Sequence, residues 1–126
     1  MRLQAPHLKH GLCLCLAGIL GAACTMQSRF SPLGKSYPPR PQTAAVEVFQ
    51  TGAPAKPFER VSRLDVHLEK THLVPSSFSD ALPELEKQAR LSGADAIIDI
   101  RESKSSIGET RIYHVTATGI RYRDSR

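Results

Sequence analysis

His67 and His114 are the side chains of this sequence best suited to acid–base or metal chemistry. Each lies in a segment of alternating apolar and polar residues, and Asp65 and Glu69 stand two positions either side of His67. A metal site normally takes three or four protein ligands, themselves held by further hydrogen bonds. No compact ligand spacing such as His-x-x-x-His occurs. We therefore expect solvated or cross-strand histidines and no bound metal.

The signatures of common catalytic sites are missing from the sequence. No serine stands in a Gly-x-Ser-x-Gly elbow, which α/β-hydrolases use to expose a nucleophile. No glycine-rich phosphate-binding loop and no Cys/His pair occurs either. We expect a protein that is not an enzyme and that needs no cofactor.

Two aspartates follow the region expected to form a helix. Asp95 precedes an apolar run, and we expect it to act as a turn residue, because Asp side chains often bond to nearby backbone. Asp99 interrupts the same run. A buried carboxylate needs a partner, so we expect Asp99 to be buried and paired with Arg101, Arg111 or Arg121.

Cys24 follows a short apolar segment near the N-terminus. Arg2 and Lys9 give a positive start, residues 12–20 are apolar, and three small residues (21–23) precede the cysteine. This arrangement resembles a bacterial lipoprotein signal peptide, which would make Cys24 the lipidated first residue of the mature protein. Nine apolar residues span about 14 Å as a helix, too short for the ~30 Å hydrocarbon core of a membrane. The alternative is an ordinary secretory signal, cleaved after the same small residues.

The lipoprotein resemblance implies a location and a membrane partner. Lipidation of Cys24 implies a membrane anchor. Thr25 follows where an Asp would direct inner-membrane retention, which implies the outer membrane with the domain facing the periplasm. Cys13 and Cys15 would leave with the signal, so the mature chain has no internal disulfide. The chain is basic, with a net charge of +5, but aromatic side chains are not interleaved with its cations. No nucleic-acid partner is therefore expected.

Composition divides the chain into four parts. Residues 1–23 are the predicted signal peptide. Residues 24–43 hold the lipidated cysteine and a Pro-rich segment without apolar periodicity, which is typical of an extended tether. Residues 44–123 carry the periodic patterns of one small α+β domain, and residues 124–126 form a short tail.

The first half of the domain shows two strands and a helix. Residues 44–50 are rich in β-forming side chains. Residues 63–69 alternate strictly between apolar and polar side chains, which indicates a strand with one face on a core and one in water. A helix is predicted to begin at Ser79 or Asp80, after N-cap residues, and to end at Gly93.

Two more strands follow the helix. Residues 94–100 are apolar at nearly every position, residues 103–108 suggest a turn, and residues 110–123 form a long last strand. Its side chains shrink from Val115 to Gly119, where the helix is expected to cross closely. The order β-β-α-β-β predicts a two-layer α+β sandwich, in which one helix covers one face of a four-stranded sheet.

Three short stretches of the domain are structural motifs: Gly-Ala-Asp-Ala-Ile-Ile (93–98), Val-Thr-Ala-Thr-Gly-Ile (115–120) and Lys-Pro-Phe-Glu-Arg-Val (56–61). Together they resemble the YbjQ-like superfamily of small bacterial domains, over about residues 46–122. This superfamily includes the Rcs envelope-stress lipoprotein. The resemblance implies the fold and brings no catalytic residues. The stress-sensing lipoprotein has disulfides in its domain, and this sequence has no cysteine there.

The uncovered sheet face is where we expect a partner to bind. Its candidate residues are Arg63, Asp65, His67, Glu69 and His114. The sequence favours a non-enzymatic envelope lipoprotein, whose periplasmic domain binds a protein or cell-wall partner. Two alternatives stay open. One is an envelope-stress signalling lipoprotein, which the family resemblance supports, and the other is a small metal-binding periplasmic protein.

Overall fold

The computed structural model describes residues 24–71 and 76–124 of the 126-residue chain. The bounds of its elements are β1 (Thr25–Pro32), β2 (Glu47–Val48), β3 (Phe58–Thr71), α1 (Phe78–Leu91), β4 (Ala96–Ile107) and β5 (Thr110–Tyr122). The predicted signal peptide (1–23) and the last two residues of the predicted tail lie outside the described residues.

One helix packs on a five-stranded sheet, which confirms the predicted α+β class. The strand order is β1-β3-β5-β4-β2. Three neighbouring pairs are antiparallel, and β2 runs parallel to β4. The predicted four-stranded sheet with the order β-β-α-β-β is wrong by one strand, because it left out β1.

β1 lies in the segment that composition assigned to a tether (24–43), and that assignment is wrong for the strand. All eight of its residues pair with β3, beginning with Thr25 opposite Glu69. Phe30 packs against the core under the helix. Pro32 stands at the end of an edge strand, where a missing N–H costs little. A mostly polar edge strand has little apolar periodicity, so its composition is that of a linker.

The segment between β1 and β2 is also bound to the domain. The Arg40 backbone N–H donates to the Arg90 carbonyl at the end of α1 (2.8 Å), and the Arg90 side chain donates to the Ala44 carbonyl (2.7 Å). Tyr37 packs against the same core as Phe30. These contacts make residues 33–46 part of the folded unit, although the segment is rich in proline.

β2 is shorter than the strand predicted over residues 44–50. Only Glu47 and Val48 pair with β4, and the Phe49 N–H adds one further bond to the Ile97 carbonyl (2.9 Å). β2 is an edge strand, and the chain leaves it for a loop of glycine and proline that cannot continue the ladder.

β3 confirms the alternation predicted for residues 63–69. Leu64, Val66 and Leu68 are buried under the helix, and the residues between them lie on the opposite face. The strand is longer than predicted at both ends, and its pairing with β5 shifts register between Arg60 and Ser62.

α1 begins one or two residues earlier than predicted, after its N-cap Ser77. The Asp80 carboxylate accepts the Ser77 backbone N–H (2.8 Å), as the N3 residue of a capping box does. Pro83 lies inside the helix and removes one backbone bond there. The helix ends as predicted. Gly93 follows the C-cap with φ +80°, a conformation that favours glycine.

The end of α1 crosses closely over β5 at Gly119, as predicted. A Cβ atom on Gly119 would collide with the Ser62 hydroxyl and lie 3.0 Å from the Ala94 side chain. Below it the Ser62 and Ser92 hydroxyls share a buried hydrogen bond (2.7 Å), and Ser92 also donates to the Ala89 carbonyl. The small residues therefore let helix and sheet approach each other.

The β4–β5 hairpin differs from the prediction in two ways. Residues 103–107 continue β4 instead of turning, and the turn lies at Gly108 and Glu109. Asp99 is exposed, with φ +52°, at a register shift of the ladder, and it pairs with Arg60 (3.1 Å). The expected buried Asp99 and its partners in β4 and β5 are wrong, because a bulge turns this residue outward.

Only half of the second sheet face is polar. A small second core of Ala96, Ile98, Ile120 and Tyr122 lies there at one end, covered by Phe49 and Phe58. The helix side carries the main core.

Within residues 24–71 and 76–124, no helix has both the length and the apolar character needed to span a bilayer.

Candidate functional site

The uncovered half of the second sheet face holds the predicted partner-binding residues. Because side chains alternate along a strand, β3 places every second residue there. We call this surface the polar sheet face and define it by Arg63, Asp65, His67, Glu69 and His114. All five predicted residues lie on it, the first four from β3 and the last from β5.

The strand register brings the two histidines together. His67 pairs directly with His114 on one side and with Gln27 of β1 on the other. The two imidazole ring centroids are 5.9 Å apart, with an angle of 60° between the ring planes. The expectation that these histidines meet across the sheet is confirmed.

Each imidazole has its own carboxylate. His114 Nε2 lies 2.7 Å from Asp65 Oδ1, and His67 Nε2 lies 2.9 Å from Glu69 Oε1. A charged imidazole would make each contact an ion pair, and a neutral one would donate through Nε2. The result is a row of four titratable side chains with fixed partners.

Arginines surround this row. Arg29 Nη2 approaches Asp65 Oδ2 at 3.9 Å from the neighbouring strand β1. Arg63 and Arg101 are exposed on the same face, and neither forms an ion pair with a described residue. Sequence reasoning missed Arg29 because β1 was read as a tether. The alternation of Gln27 and Arg29 with the apolar Met26 and Phe30 is the signal that marks the strand.

A shallow cavity opens between β1 and β5 on this face. Its volume is about 410 Å³, and its walls include Arg29, Asp65, His67 and His114. The side chain of Asp65 is only 18% exposed and that of His114 35%, so the pair is partly withdrawn from water. Carboxylate, imidazole and guanidinium groups side by side can bind a polar partner through charge-assisted hydrogen bonds.

In the described part of the chain, no group of three or more His, Cys, Asp and Glu side chains has an arrangement that could hold a metal ion. Ser103 lies opposite His114 on β4, the position a nucleophile would need. Among the described residues, the hydrogen bond of His114 Nε2 is to Asp65 and not to Ser103.

Cys24 is exposed, and it immediately precedes β1. A group attached to its sulfur would therefore lie at the corner of the sheet, with no unstructured residues between that group and β1.

The other aspartate predicted from sequence, Asp95, lies just before β4 and binds the end of β5. It accepts the Tyr122 N–H (2.9 Å) and lies 3.4 Å from Arg40 Nε.

Comparison with known proteins gives one structural likeness. No family model matches the chain, and no curated protein matches it. The chain is similar to the crystal structure of the Francisella virulence factor FvfA in its orthorhombic form, with a TM-score of 0.51 and 18% sequence identity. The match covers 79% of this chain and 100% of the other. It shows a shared fold, and the resemblance to the YbjQ-like superfamily stays a prediction.

Proposed function

We propose that this protein is a non-enzymatic lipoprotein of the bacterial cell envelope. Cys24 holds it in the outer membrane, and its domain faces the periplasm and binds a protein or cell-wall partner through the polar sheet face. The observation that carries the partner-binding proposal is the set of paired, half-buried titratable side chains on the uncovered half of the second sheet face.

Fixed polar side chains on an open surface favour recognition. The Asp65–His114 and His67–Glu69 bonds hold each group in one orientation, so a partner would lose less side-chain entropy on binding. Arg63 and Arg101 beside them offer unpaired guanidinium groups to acidic groups of a partner. Recognition of a polar, acidic surface suits this arrangement better than binding of an apolar ligand.

The position of Cys24 supports the anchor. Its thiol is exposed, so an acyl group on it would not disturb the core. It is the one cysteine within the described residues, and a lone free thiol in an oxidising compartment is a liability that acylation removes.

Intact mass tests the anchor. The protein extracted from membranes is compared with a Cys24→Ala variant. The expected mass equals residues 24–126 plus a diacylglyceryl adduct, and the variant lacks this adduct. An unmodified chain in the soluble periplasmic fraction would refute the lipoprotein proposal.

Site-specific crosslinking tests the polar sheet face. A photoreactive residue replaces Arg63 or Thr116 on the face, and the matched control replaces Lys87, an exposed cation on the outer side of α1. We expect a discrete envelope adduct from the face positions, which is lost when His114→Ala is added, and none from Lys87. Equal adducts from all three positions, or none, would contradict the proposal. If the adduct is a membrane receptor whose regulon responds to deletion of the gene, the signalling alternative replaces the first reading.

A further inference from the structure

A second polar cavity lies beside the β4–β5 hairpin, on the helix side of the sheet. Its volume is about 390 Å³. We call it the hairpin cavity. Its lining residues are Ser76, Lys104, Ser105, Ser106, Arg111, Ile112 and Tyr113, of which Lys104, Ser106, Arg111 and Tyr113 belong to two facing pairs of the hairpin. The register explains their common direction: Lys104 stands opposite Tyr113, and Ser106 stands opposite Arg111, so all four project toward the same side.

The buried hydroxyl groups of this cavity lack protein partners. Tyr113 is 1% exposed, and no described group makes a hydrogen bond to its hydroxyl. The buried Ser76 hydroxyl likewise has no hydrogen-bond partner among the described residues. Burial raises the pKa of Tyr113, and the nearby Glu102 carboxylate adds to this rise without meeting hydrogen-bond geometry. Among the described residues neither hydroxyl makes a hydrogen bond of good geometry, although the Glu102 carboxylate lies near Tyr113, and a buried donor in this state is costly unless a ligand supplies an acceptor.

The charges around the cavity favour an anion. Lys104 lies 5.6 Å from the Tyr113 ring centre, and neither it nor Arg111 forms an ion pair with a described residue. Two carboxylates act on Tyr113, those of Glu102 and Asp80, and Asp80 forms an ion pair with Lys70 (3.4 Å). Two cations and two hydroxyl donors match the acceptor oxygens of a phosphate.

The cavity lies at the end of the molecule that Cys24 occupies. Thr25, Glu69, Ile112 and Ser105 form one row across the four strands. Two strand spacings, about 10 Å, separate Thr25 from Ile112. A lipid on Cys24 would bring this end of the domain to the membrane.

The same end also exposes apolar side chains. Ile107 at the hairpin tip is 72% exposed, and Met26 next to the anchor is 49% exposed. Exposed apolar side chains at the end of the domain that carries Cys24 suit the interface of a bilayer.

We propose that the hairpin cavity binds the phosphate of an anionic phospholipid headgroup, in the membrane that holds Cys24. The headgroup oxygens accept from Tyr113 and Ser76 and lie between Lys104 and Arg111, while Ile107 enters the acyl boundary. This inference rests on the proposed lipid anchor. It assigns a lipid ligand to a cavity separate from the polar sheet face, which remains open to a periplasmic partner.

Hydrogen exchange of the lipidated protein tests the inference. The membrane-extracted chain is placed in nanodiscs of phosphatidylcholine, with or without phosphatidylglycerol, and exchange is followed over residues 104–113. We expect slower exchange with phosphatidylglycerol. Lys104→Gln and Arg111→Gln should each reduce this protection about fivefold, because a cation near an anionic surface contributes about 1 kcal/mol. Tyr113→Phe keeps the charge and should also reduce it.

Arg123→Gln is the matched control, since it makes the same charge change beyond the opposite end of β5. It should retain the protection. Equal exchange in both lipids, or equal loss in the control, would overturn the inference. So would the same protection of a Cys24→Ser protein by dissolved glycerol phosphate, which would indicate a site for free phosphate. The intact mass of the same sample reports on the anchor separately: a lipidated protein without the phosphatidylglycerol effect rejects the headgroup site alone.

Discussion

Two tyrosine hydroxyl groups of this molecule differ in whether the fold supplies a hydrogen-bond partner. The Tyr37 hydroxyl is satisfied by the Glu59 carboxylate, and this hydrogen bond raises the pKa of Tyr37. The Tyr113 hydroxyl is buried, and it has no such partner among residues 24–71 and 76–124. The Tyr37 hydroxyl contributes to the fold, whereas the Tyr113 hydroxyl is the one that we propose binds a ligand.

Replacing each tyrosine with phenylalanine should have opposite effects on stability. Tyr113→Phe removes a buried hydroxyl that has no partner, so we expect an unchanged or increased free energy of unfolding, by up to about 1 kcal/mol. Tyr37→Phe leaves Glu59 without its donor and should lower that free energy. Urea unfolding of both variants measures the difference, and a clear loss of stability in Tyr113→Phe would show that its hydroxyl is bonded within the protein.

The start of α1 depends on a single carboxylate. The Ser77 backbone N–H and Lys70 both hold Asp80 in its charged form, and they lower the pKa of Asp80 below its ordinary value. A group whose pKa is lower in the folded state stabilises the fold above its ordinary pKa. This stabilisation is lost as the pH falls through the folded pKa.

The contribution of Asp80 should therefore disappear in acid. At neutral pH, Asp80→Asn should have a lower melting temperature than the wild type, and the gap should close as the pH falls below about 4. Asp124→Asn is the control, because Asp124 is exposed beyond the last strand, and it should show no gap. Calorimetry across this range measures both, and a gap that persists unchanged in acid would contradict the assigned role.

The contact between α1 and β5 depends on the absence of a side chain at Gly119. Gly119→Ala should lower the free energy of unfolding by about 1–3 kcal/mol, because the new methyl group meets Ser62 and Ala94 in a filled space. Gly34→Ala is the matched control, since nothing lies within 4 Å of a Cβ atom there. Chemical denaturation of both variants tests this, and equal effects would mean that the close approach is relaxed in solution.

Patterns of alternation predicted elements well where burial enforces them. The period of Leu64, Val66 and Leu68 located β3, and the small residues up to Gly119 located the helix crossing. Alternation did not predict a strand that is held by hydrogen bonds without burial of one face. Residues 103–107 are exposed on both sides, so no apolar pattern marks them as part of β4. Asp99 was misplaced because a bulge changes which face a residue occupies, and alternation carries no signal for it.

The candidate site was predictable to the same extent. β3 and β5 supplied all five residues of the polar sheet face from alternation and β propensity. Arg29 was missed because the short alternation of residues 26–30 lies in a segment with the composition of a linker, and the hairpin cavity was missed because it depends on pairing within a segment with the composition of a turn.

At the scale of the whole molecule, the structure places the domain directly next to Cys24. A tether over residues 24–43 would hold the domain tens of ångströms from the membrane. In the fold, β1 begins at Thr25, so the sheet starts one residue after Cys24. A lipid on Cys24 would therefore hold the polar sheet face and the hairpin cavity near the bilayer, without an intervening tether.

Hydrogen exchange tests whether β1 is part of the folded unit. Amides of residues 25–32 that donate to β3 should exchange slowly, whereas those of a free tether exchange at once. Phe30→Ala removes the main apolar contact of β1 and should cost about 1–2 kcal/mol. It should also speed exchange in β1 more than in β5. Leu33→Ala changes an exposed side chain and should do neither. Fast exchange across β1 in the wild type would contradict this structure of β1 and support the predicted tether over residues 24–43.

The attachment of β1 also determines how the molecule responds to force. We expect a pull on Cys24 across the sheet to load the hydrogen bonds between β1 and β3 first, because β1 is an edge strand that directly follows Cys24. Release of its eight residues would supply about 26 Å of chain at ~3.3 Å each. Force applied at Cys24 would therefore lengthen the N-terminal segment before it reached β3, β4 and β5.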